Sequence, residues 1–301
     1  MSRPRVLITG ASGFVARILV PRLIDEADVT LLLLEDFGSG ALLPAPLNKV
    51  RAKVDVVYAD LRNFQLTARA LRQARPDRII HLAAVGVSEP FLNVNTALSH
   101  NVTGTINLLR ACFESDSLDV QQVIVARTPG ERSVMNVYAA SKAAAWAFCE
   151  MYAHTAGWPI HGAMIFQAYG PGQPAHLFIP AALRAALAGE VFPMTSGEQE
   201  KDWIHIDDVV AGFSALLKSE LPAGETVEFG RGQPVSLADV AGHIFRLVGR
   251  GGGPLLGALP SRPGEDPRQV ADAERTAALI GWRPQISLER GLERLINDGI
   301  N

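Results

Sequence analysis

Apolar residues in the first half of the chain fall into short runs, separated by longer stretches with helical spacing. Arg5-Val6-Leu7-Ile8-Thr9 is the first run. Val29 to Leu34, Val54 to Tyr58, Arg78 to Leu82 and Gln122 to Ala126 follow it. Each is too short for a membrane span, and continuous apolarity over so few residues suits strands buried on both faces. Between the first two, Ile18, Leu19 and Leu23 recur at helical spacing, and helices are expected around residues 64–74 and 96–114. This alternation predicts an α/β fold with a doubly wound parallel sheet.

Beyond about residue 165 the pattern loosens. Proline and glycine cluster at Tyr169-Gly170-Pro171-Gly172-Gln173-Pro174 and again at Gly251-Gly252-Gly253, which read as loops. Helices are expected at 177–188, 207–218, 236–248 and 287–297. The expected division is a first domain over residues 1–165 and a smaller α/β lobe over 166–301, packed over the sheet, with some segments returning to the first domain.

The first strand runs into Thr9-Gly10-Ala11-Ser12-Gly13-Phe14-Val15-Ala16, which opens a helix. Glycine at 10 and 13 permits a tight turn and close approach of a pyrophosphate to the backbone. The helix start adds free N–H groups and the positive end of its dipole. Gly10, Ser12, Gly13, Phe14 and Val15 are therefore dinucleotide-binding candidates. The second strand ends at Leu34-Glu35-Asp36, where a carboxylate accepts hydrogen bonds from an adenosine ribose and repels a 2′-phosphate. No Arg or Lys occurs between Arg22 and Lys49, which favours NAD over NADP. Asp60 and Leu61 close the third strand at the adenine edge. Leu82, Ala83 and Ala84 close the fourth, where small residues let a dinucleotide lie against the backbone. His81, just before them, reads as a packed strand histidine.

Tyr138-Ala139-Ala140-Ser141-Lys142 opens a later helix, and four-residue spacing puts Tyr138 and Lys142 on one face. A free phenol titrates near 10, too high for a base at neutral pH. A nearby ammonium and an oxidised nicotinamide would both stabilise the phenolate and pull that value down. Lysine is scarce in this chain, at positions 49, 53, 142, 201 and 218 only, which makes a lysine at 142 harder to treat as incidental.

These segments, with Asn101-Val102-Thr103-Gly104-Thr105, resemble the extended short-chain dehydrogenase/reductases. Later ones are similar to the nucleotide-sugar branch, the NAD-dependent epimerase/dehydratase family. They are Tyr169-Gly170-Pro171-Gly172, Lys201-Asp202-Trp203-Ile204-His205-Ile206-Asp207-Asp208-Val209, Arg262-Pro263-Gly264-Glu265 and Gly281-Trp282-Arg283-Pro284. The resemblance covers almost the whole chain. It implies a Rossmann-type domain holding NAD over residues 1–165. It also implies that Tyr138 is the general acid/base, that Lys142 holds the nicotinamide ribose, and that Thr128 shares the substrate oxygen. Asn101 would brace the sheet and cofactor region or simply start a helix. Lys201 and Arg262 stand where family members place cations for a nucleoside diphosphate, with Gln167 and Phe178 as further substrate contacts. A homodimer built on helices near 98–114 and 138–156 is implied too.

The pattern has departures. Ala16 replaces the third glycine of the loop, Lys201 an arginine, and Gln167 an asparagine. The segment from Thr128 to Tyr138 is short for the family. The 4,6-dehydratases follow the catalytic threonine with Asp-Glu; here Pro129-Gly130 follow, which supply no acid or base, and Glu131 is displaced. The expected activity is therefore a nucleotide-sugar epimerase acting at C4, with a 4-ketoreductase or a non-catalytic NAD-binding regulator as alternatives. A formal charge of −3 gives no reason to expect nucleic acid or an anionic membrane as a partner. Two isolated cysteines, Cys112 and Cys149, make neither a disulfide framework nor a metal pattern and fit a reducing cytoplasm. No metal is expected, and no apolar run reaches the roughly 18 residues a membrane helix needs.

Overall fold

The structure, a computed structural model, describes residues 3–34, 43–114, 117–261 and 264–298. It divides into two compact units. The first takes in residues 1–164 and 213–227, the second 165–212 and 228–301.

A seven-stranded parallel sheet organises the first unit. Its strands are β1 (Arg5–Thr9), β2 (Asp28–Leu33), β3 (Asp55–Tyr58), β4 (Arg78–His81), β5 (Gln122–Arg127), β6 (Ile160–Ile165) and, far along the chain, β10 (Thr226–Phe229). The order is β10-β6-β5-β4-β1-β2-β3, so the sheet reverses its direction of growth at β1 and β4. Register is fixed by pairs such as Leu7 with Thr30 and with Ile79. Val6, Leu7, Ile8, Ile79, Ile80, Val123 and Ile124 are all buried, as expected of strands covered on both faces. The covering helices are α1 (Phe14–Leu23), α2 (Ala45–Lys49), α3 (Phe64–Ala74), α4 (Val94–Ala97), α5 (Gly104–Phe113) and α6 (Val137–Ala156). Leu71, Leu108, Leu109, Trp146 and Cys149 pack with Leu7, Ile79 and Val123 in one core.

One expected helix is not a single α-helix. Residues Leu98–Thr103, between α4 and α5, form a π-helical turn. Such turns widen the helix locally and are often found at functional sites.

In the second unit β7 (Gln167–Tyr169) pairs with β9 (Glu200–His205), which also pairs with β11 (Pro234–Ser236) and β13 (Arg268–Gln269). A separate ladder joins β8 (Val191–Pro193) to β12 (Gly253–Leu255). The helices are α7 (Phe178–Ala188), α8 (Ile206–Lys218), α9 (Leu237–Val248), α10 (Ala273–Ile280) and α11 (Leu288–Asp298); α8 begins in this unit and ends in the first. Tyr169, Ile179, Trp203, Val240, Ile244 and Leu292 make the second core.

Two aspartates pin this unit through backbone N–H groups far away in sequence. Asp202, fully buried, accepts from Arg231 (2.8 Å), Gly232 (2.8 Å) and Ala271 (3.0 Å). Burial pushes its carboxyl upward, and the three donated hydrogen bonds, together with the Arg231 charge, oppose that. Asp208 accepts from Gln285 (3.0 Å) and Ile286 (2.9 Å).

Candidate active site

At the end of β1 the chain turns through Gly10, which has φ +64°. A Cβ there would sit 2.6 Å from the Ala83 nitrogen, so only glycine fits against the end of β4. Gly13 donates its N–H to the Gly10 carbonyl (2.9 Å) and becomes the N-cap of α1. It has no side chain to satisfy the first-turn N–H groups at Phe14, Val15 and Ala16, so that helix start can receive an anion. Arg17 Nε donates to the Ser12 carbonyl (2.9 Å) and braces the turn. Leu82 and Ala83 are tied to β1: Leu82 N–H donates to Thr9 O (3.3 Å) and Ala83 N–H to Thr9 Oγ1 (3.2 Å). The Asp60 carboxylate is gripped by the Arg62 guanidinium and held below the usual carboxylate range. Leu61 is buried, its carbonyl accepting from Asn107 Nδ2 (2.9 Å). Glu35 and Asp36 lie outside the described residues.

His81 sits inside a determined hydrogen-bond chain. Thr9 Oγ1 is 2.7 Å from His81 Nδ1, and His81 Nε2 is 2.9 Å from Thr105 Oγ1, which donates to the Asn101 carbonyl (2.7 Å). Because Thr105 has spent its one proton, Nε2 must carry the imidazole proton and Nδ1 must accept from Thr9. Burial, then the Lys142 charge, holds this histidine down to about 3, so it is neutral.

Asn101 lies in the π turn, not at a helix start. Its Oδ1 accepts the Val85 N–H, and its Nδ2 donates to the Val85 carbonyl and to Ser141 Oγ, all at 2.9 Å. Ser141 Oγ donates to the Tyr138 carbonyl (2.8 Å). The loop after β4 is thereby fastened to the first turn of α6. Asn136 caps that helix by accepting the Ala139 N–H (2.8 Å), and Tyr138 N–H donates to the Pro90 carbonyl (3.0 Å).

Lys142 is 4 % exposed and lies one helical turn along α6 from Tyr138. Burial lowers its proton affinity and Glu131 raises it. The Tyr138 hydroxyl is pushed upward by burial and then by Glu131. A low-dielectric surround disfavours the phenolate; the downward pull expected from the sequence needs an oxidised nicotinamide as well as Lys142.

Thr128 follows β5, and its N–H donates to Glu131 Oε1 (3.0 Å). The other Glu131 oxygen pairs with Arg127 Nε (2.8 Å). This buried pair was missed by sequence reasoning, although Thr128-Pro129-Gly130-Glu131 has the spacing of a capping box with proline at the first helical position. Glu131 is therefore already engaged, and nothing in its bonding frees it to act as a displaced dehydratase acid.

In the second unit Lys201 Nζ donates to the Asp266 carbonyl (3.0 Å) and lies 3.8 Å from Glu265. An ammonium has three N–H groups, so this leaves donors over. Phe178 starts α7 and packs on Phe192 and Trp203, while Gln167 sits opposite Trp203 in the sheet. Arg262 lies outside the described residues. Among the described residues no group of His, Cys, Asp and Glu could hold a metal ion, and no helix is long and apolar enough to cross a membrane.

The model of the NAD dependent epimerase/dehydratase family matches residues 6–230. The chain belongs to that family. It is similar to the low-salt glycan biosynthesis protein of Haloferax volcanii, at 30% identity with 97% of each chain covered. It is also similar to the UDP-glucose 4-epimerase of Mycolicibacterium smegmatis, at 28% identity and 97% coverage of each. Among solved structures, the UDP-glucose 4-epimerase of Thermotoga maritima superposes with a TM-score of 0.82 at 21% identity, covering 97% of both chains, which establishes the shared fold. The protein is thus an NAD-dependent enzyme of the extended short-chain dehydrogenase/reductase type. Its residues fit NAD: a helix start without a side-chain cap and a glycine turn that no other residue could make, against the end of β4.

Proposed function

We propose that the protein is a nucleotide-sugar epimerase that inverts C4, with Tyr138, Lys142 and Thr128 as its catalytic set. The observation that carries this reading is Lys142, 4% exposed and one helical turn from Tyr138 on α6. Burying an ammonium is costly unless it is paired. NAD, when bound, supplies the acceptor and donor of hydride together with a cationic ring that favours the phenolate. Tyr138 removes the proton of the C4 hydroxyl and returns it after the sugar has turned its other face. Lys142 holds the nicotinamide ribose, and its charge assists that proton transfer. Thr128 shares the substrate oxygen. Glycine loop residues Gly10 to Val15 hold the pyrophosphate of NAD, with Asp60, Leu61, Leu82, Ala83, Ala84 and Asn101 along its length and Glu35 and Asp36 for the adenosine ribose. Gln167, Phe178, Lys201 and Arg262 take the nucleoside diphosphate sugar.

The engaged Glu131 supports this reading over a dehydratase, since the turn after Thr128 offers no free carboxyl. Purified protein with NAD and UDP-glucose, UDP-glucuronate or dTDP-glucose is the test, followed by proton NMR of the sugar. Inversion at C4 without net NADH supports an epimerase. Keto-sugar reduction consuming NADH, with no inversion, replaces it with the 4-ketoreductase.

A homodimer belongs to the same proposal. Phe148 and Met151 of α6 are 42% and 40% exposed, and Val94 and Leu98 on the adjoining segment are exposed as well. A second copy covering these apolar residues would form a four-helix contact. Sedimentation giving a dimer supports it, and a monomer at micromolar concentration removes it. Buried free thiols at Cys112 and Cys149 suit a reducing cytoplasm as the protein's location.

A further inference from the structure

Strand β5 ends at Arg127, and Thr128 begins the link to α6, which holds a short 3-10 helix, Pro129–Arg132. Thr128 is fixed in a capping box with Glu131. Its side chain accepts the Glu131 N–H, and its own N–H donates to Glu131 Oε1 (3.0 Å). A threonine hydroxyl has one proton and two lone pairs. The box takes a lone pair and does not use the proton, so the hydroxyl keeps its donor for another oxygen.

The box depends on the Glu131 side chain, and that side chain depends on Arg127. Glu131 is 6% exposed, and a buried carboxylate is costly unless it is paired and hydrogen-bonded. Arg127 Nε donates to its second oxygen, Oε2 (2.8 Å). Arg127 is held in turn by two other elements. Its guanidinium carbon lies 4.2 Å from the centre of the Trp146 ring of α6, and a terminal nitrogen donates to Thr226 Oγ1 of β10 (3.0 Å). Gly162 of β6 leaves the room, since a Cβ there would come within 2.9 Å of Arg127 Cδ and 3.0 Å of Trp146 Cη2. Tyr138, Lys142 and Trp146 recur every four residues on α6 and share one side of it. The turn also meets that helix directly: a Cβ at Gly130 would lie 3.3 Å from that of Ala139, the residue after Tyr138.

We propose that Arg127 is a positioning residue, which ties the Thr128 turn to the helix carrying Tyr138 and so sets where the Thr128 hydroxyl points. This rests on Tyr138 and Thr128 serving the same substrate oxygen. Arg127 acts on the reaction only through Glu131 and Thr128. Lysine is a poor replacement: an ammonium has a single nitrogen and cannot lie flat on Trp146 while reaching Glu131 and Thr226 from separate arms of a fork.

The test is a double-mutant cycle on the full-length protein with NAD. Arg127→Met keeps an apolar stem over Trp146 and removes the hydrogen bonds. It is expected to lower kcat about ten- to a hundredfold, as a displaced reacting group does, with the sugar KM little changed. In a Thr128→Ala background the same substitution is expected to cost nothing further, because no hydroxyl is left to position. Arg127→Lys is expected to fall between Arg127→Met and the wild type. An equal loss in both backgrounds, or a fully active Arg127→Met, overturns the proposal and leaves Thr128 in the catalytic set. A Thr128→Ala protein with wild-type kcat overturns the reading of Thr128 and this proposal with it. A second measurement needs no sugar. Three-bond couplings of the Thr128 methyl carbon, assigned through Thr128→Ala, report its side-chain torsion in the NAD-loaded protein. One rotamer in the wild type and averaging in Arg127→Met support the proposal; one unchanged rotamer in both overturns it. These couplings decide the matter if no sugar is turned over, so failure of the epimerase reading is told apart from failure of this one. If Arg127→Met does not fold, Arg127→Lys takes its place in both experiments under the same criteria.

Discussion

Asn101→Asp replaces one amide nitrogen by oxygen at the junction between the β4 loop and α6. The oxygen that accepts the Val85 N–H survives. The nitrogen that donated to the Val85 carbonyl and to Ser141 Oγ becomes an acceptor facing two oxygens at 2.9 Å. Ser141 cannot turn its proton to the new oxygen without releasing the Tyr138 carbonyl. Two hydrogen bonds at about 0.5–1.5 kcal/mol each are lost, and an orphaned buried carbonyl adds about 1–3 kcal/mol. The expected destabilisation is about 2–6 kcal/mol at pH 7. Its pH dependence has a definite sign. Burial and the facing oxygens raise the new carboxyl above its unfolded value of about 3.9, and the protonated acid can donate again. Part of the penalty is therefore relieved below about pH 4 and grows as pH rises through the folded value. Urea unfolding at several pH values, with hydrogen exchange of the Val85 and α6 amides, measures both effects. A loss under about 0.5 kcal/mol at pH 7, or one that is independent of pH, refutes this account of Asn101.

Gly10→Ala forces a left-handed residue at a cost of about 1–2 kcal/mol and adds a clash with Ala83; NAD affinity by calorimetry should fall at least tenfold. Asp202→Asn can satisfy only part of three backbone donors, so proteolysis should open the second unit first, with urea stability lowered by about 2–4 kcal/mol. Neutral, buried His81 has a folded value of about 3, well below the unfolded value near 6.5. Its contribution is fully present above pH 6.5 and lost as pH falls from there towards 3, by several kcal/mol in all. Urea midpoints across that range should drop in the wild type and drop less in His81→Asn.

Much of this fold could be read from the pattern of residues. The strands at 5–9, 78–82 and 122–126 and the helices at 64–74, 207–218 and 236–248 are found within a residue or so, because runs buried on two faces and amphipathic helices leave strong periodic signals. Strands β6 and β10 were not foreseen. His161 and Gly162 interrupt the apolar run of one, and Glu228 that of the other, and both owe their place to partners far along the chain. The π turn is invisible because one extra residue in a turn barely disturbs helical spacing. The placement of Tyr138 and Lys142 one turn apart on a single helix is legible in their spacing. The work of Asp202 and Asp208 was not, since their hydrogen bonds go to backbone groups up to 78 residues away. Glu131 carried a legible signal in Thr128-Pro129-Gly130-Glu131, but its pairing with Arg127 depends on how the turn packs on α6.

The most direct test of the account follows a deuterium label at C4 of UDP-glucose, UDP-glucuronate and dTDP-glucose, incubated with the protein and NAD. The account predicts C4 inversion of one of these with the label retained, no net NADH, and no turnover by Tyr138→Phe, which still binds NAD. Loss of the label to water, stoichiometric NADH, or undiminished inversion by Tyr138→Phe would contradict it.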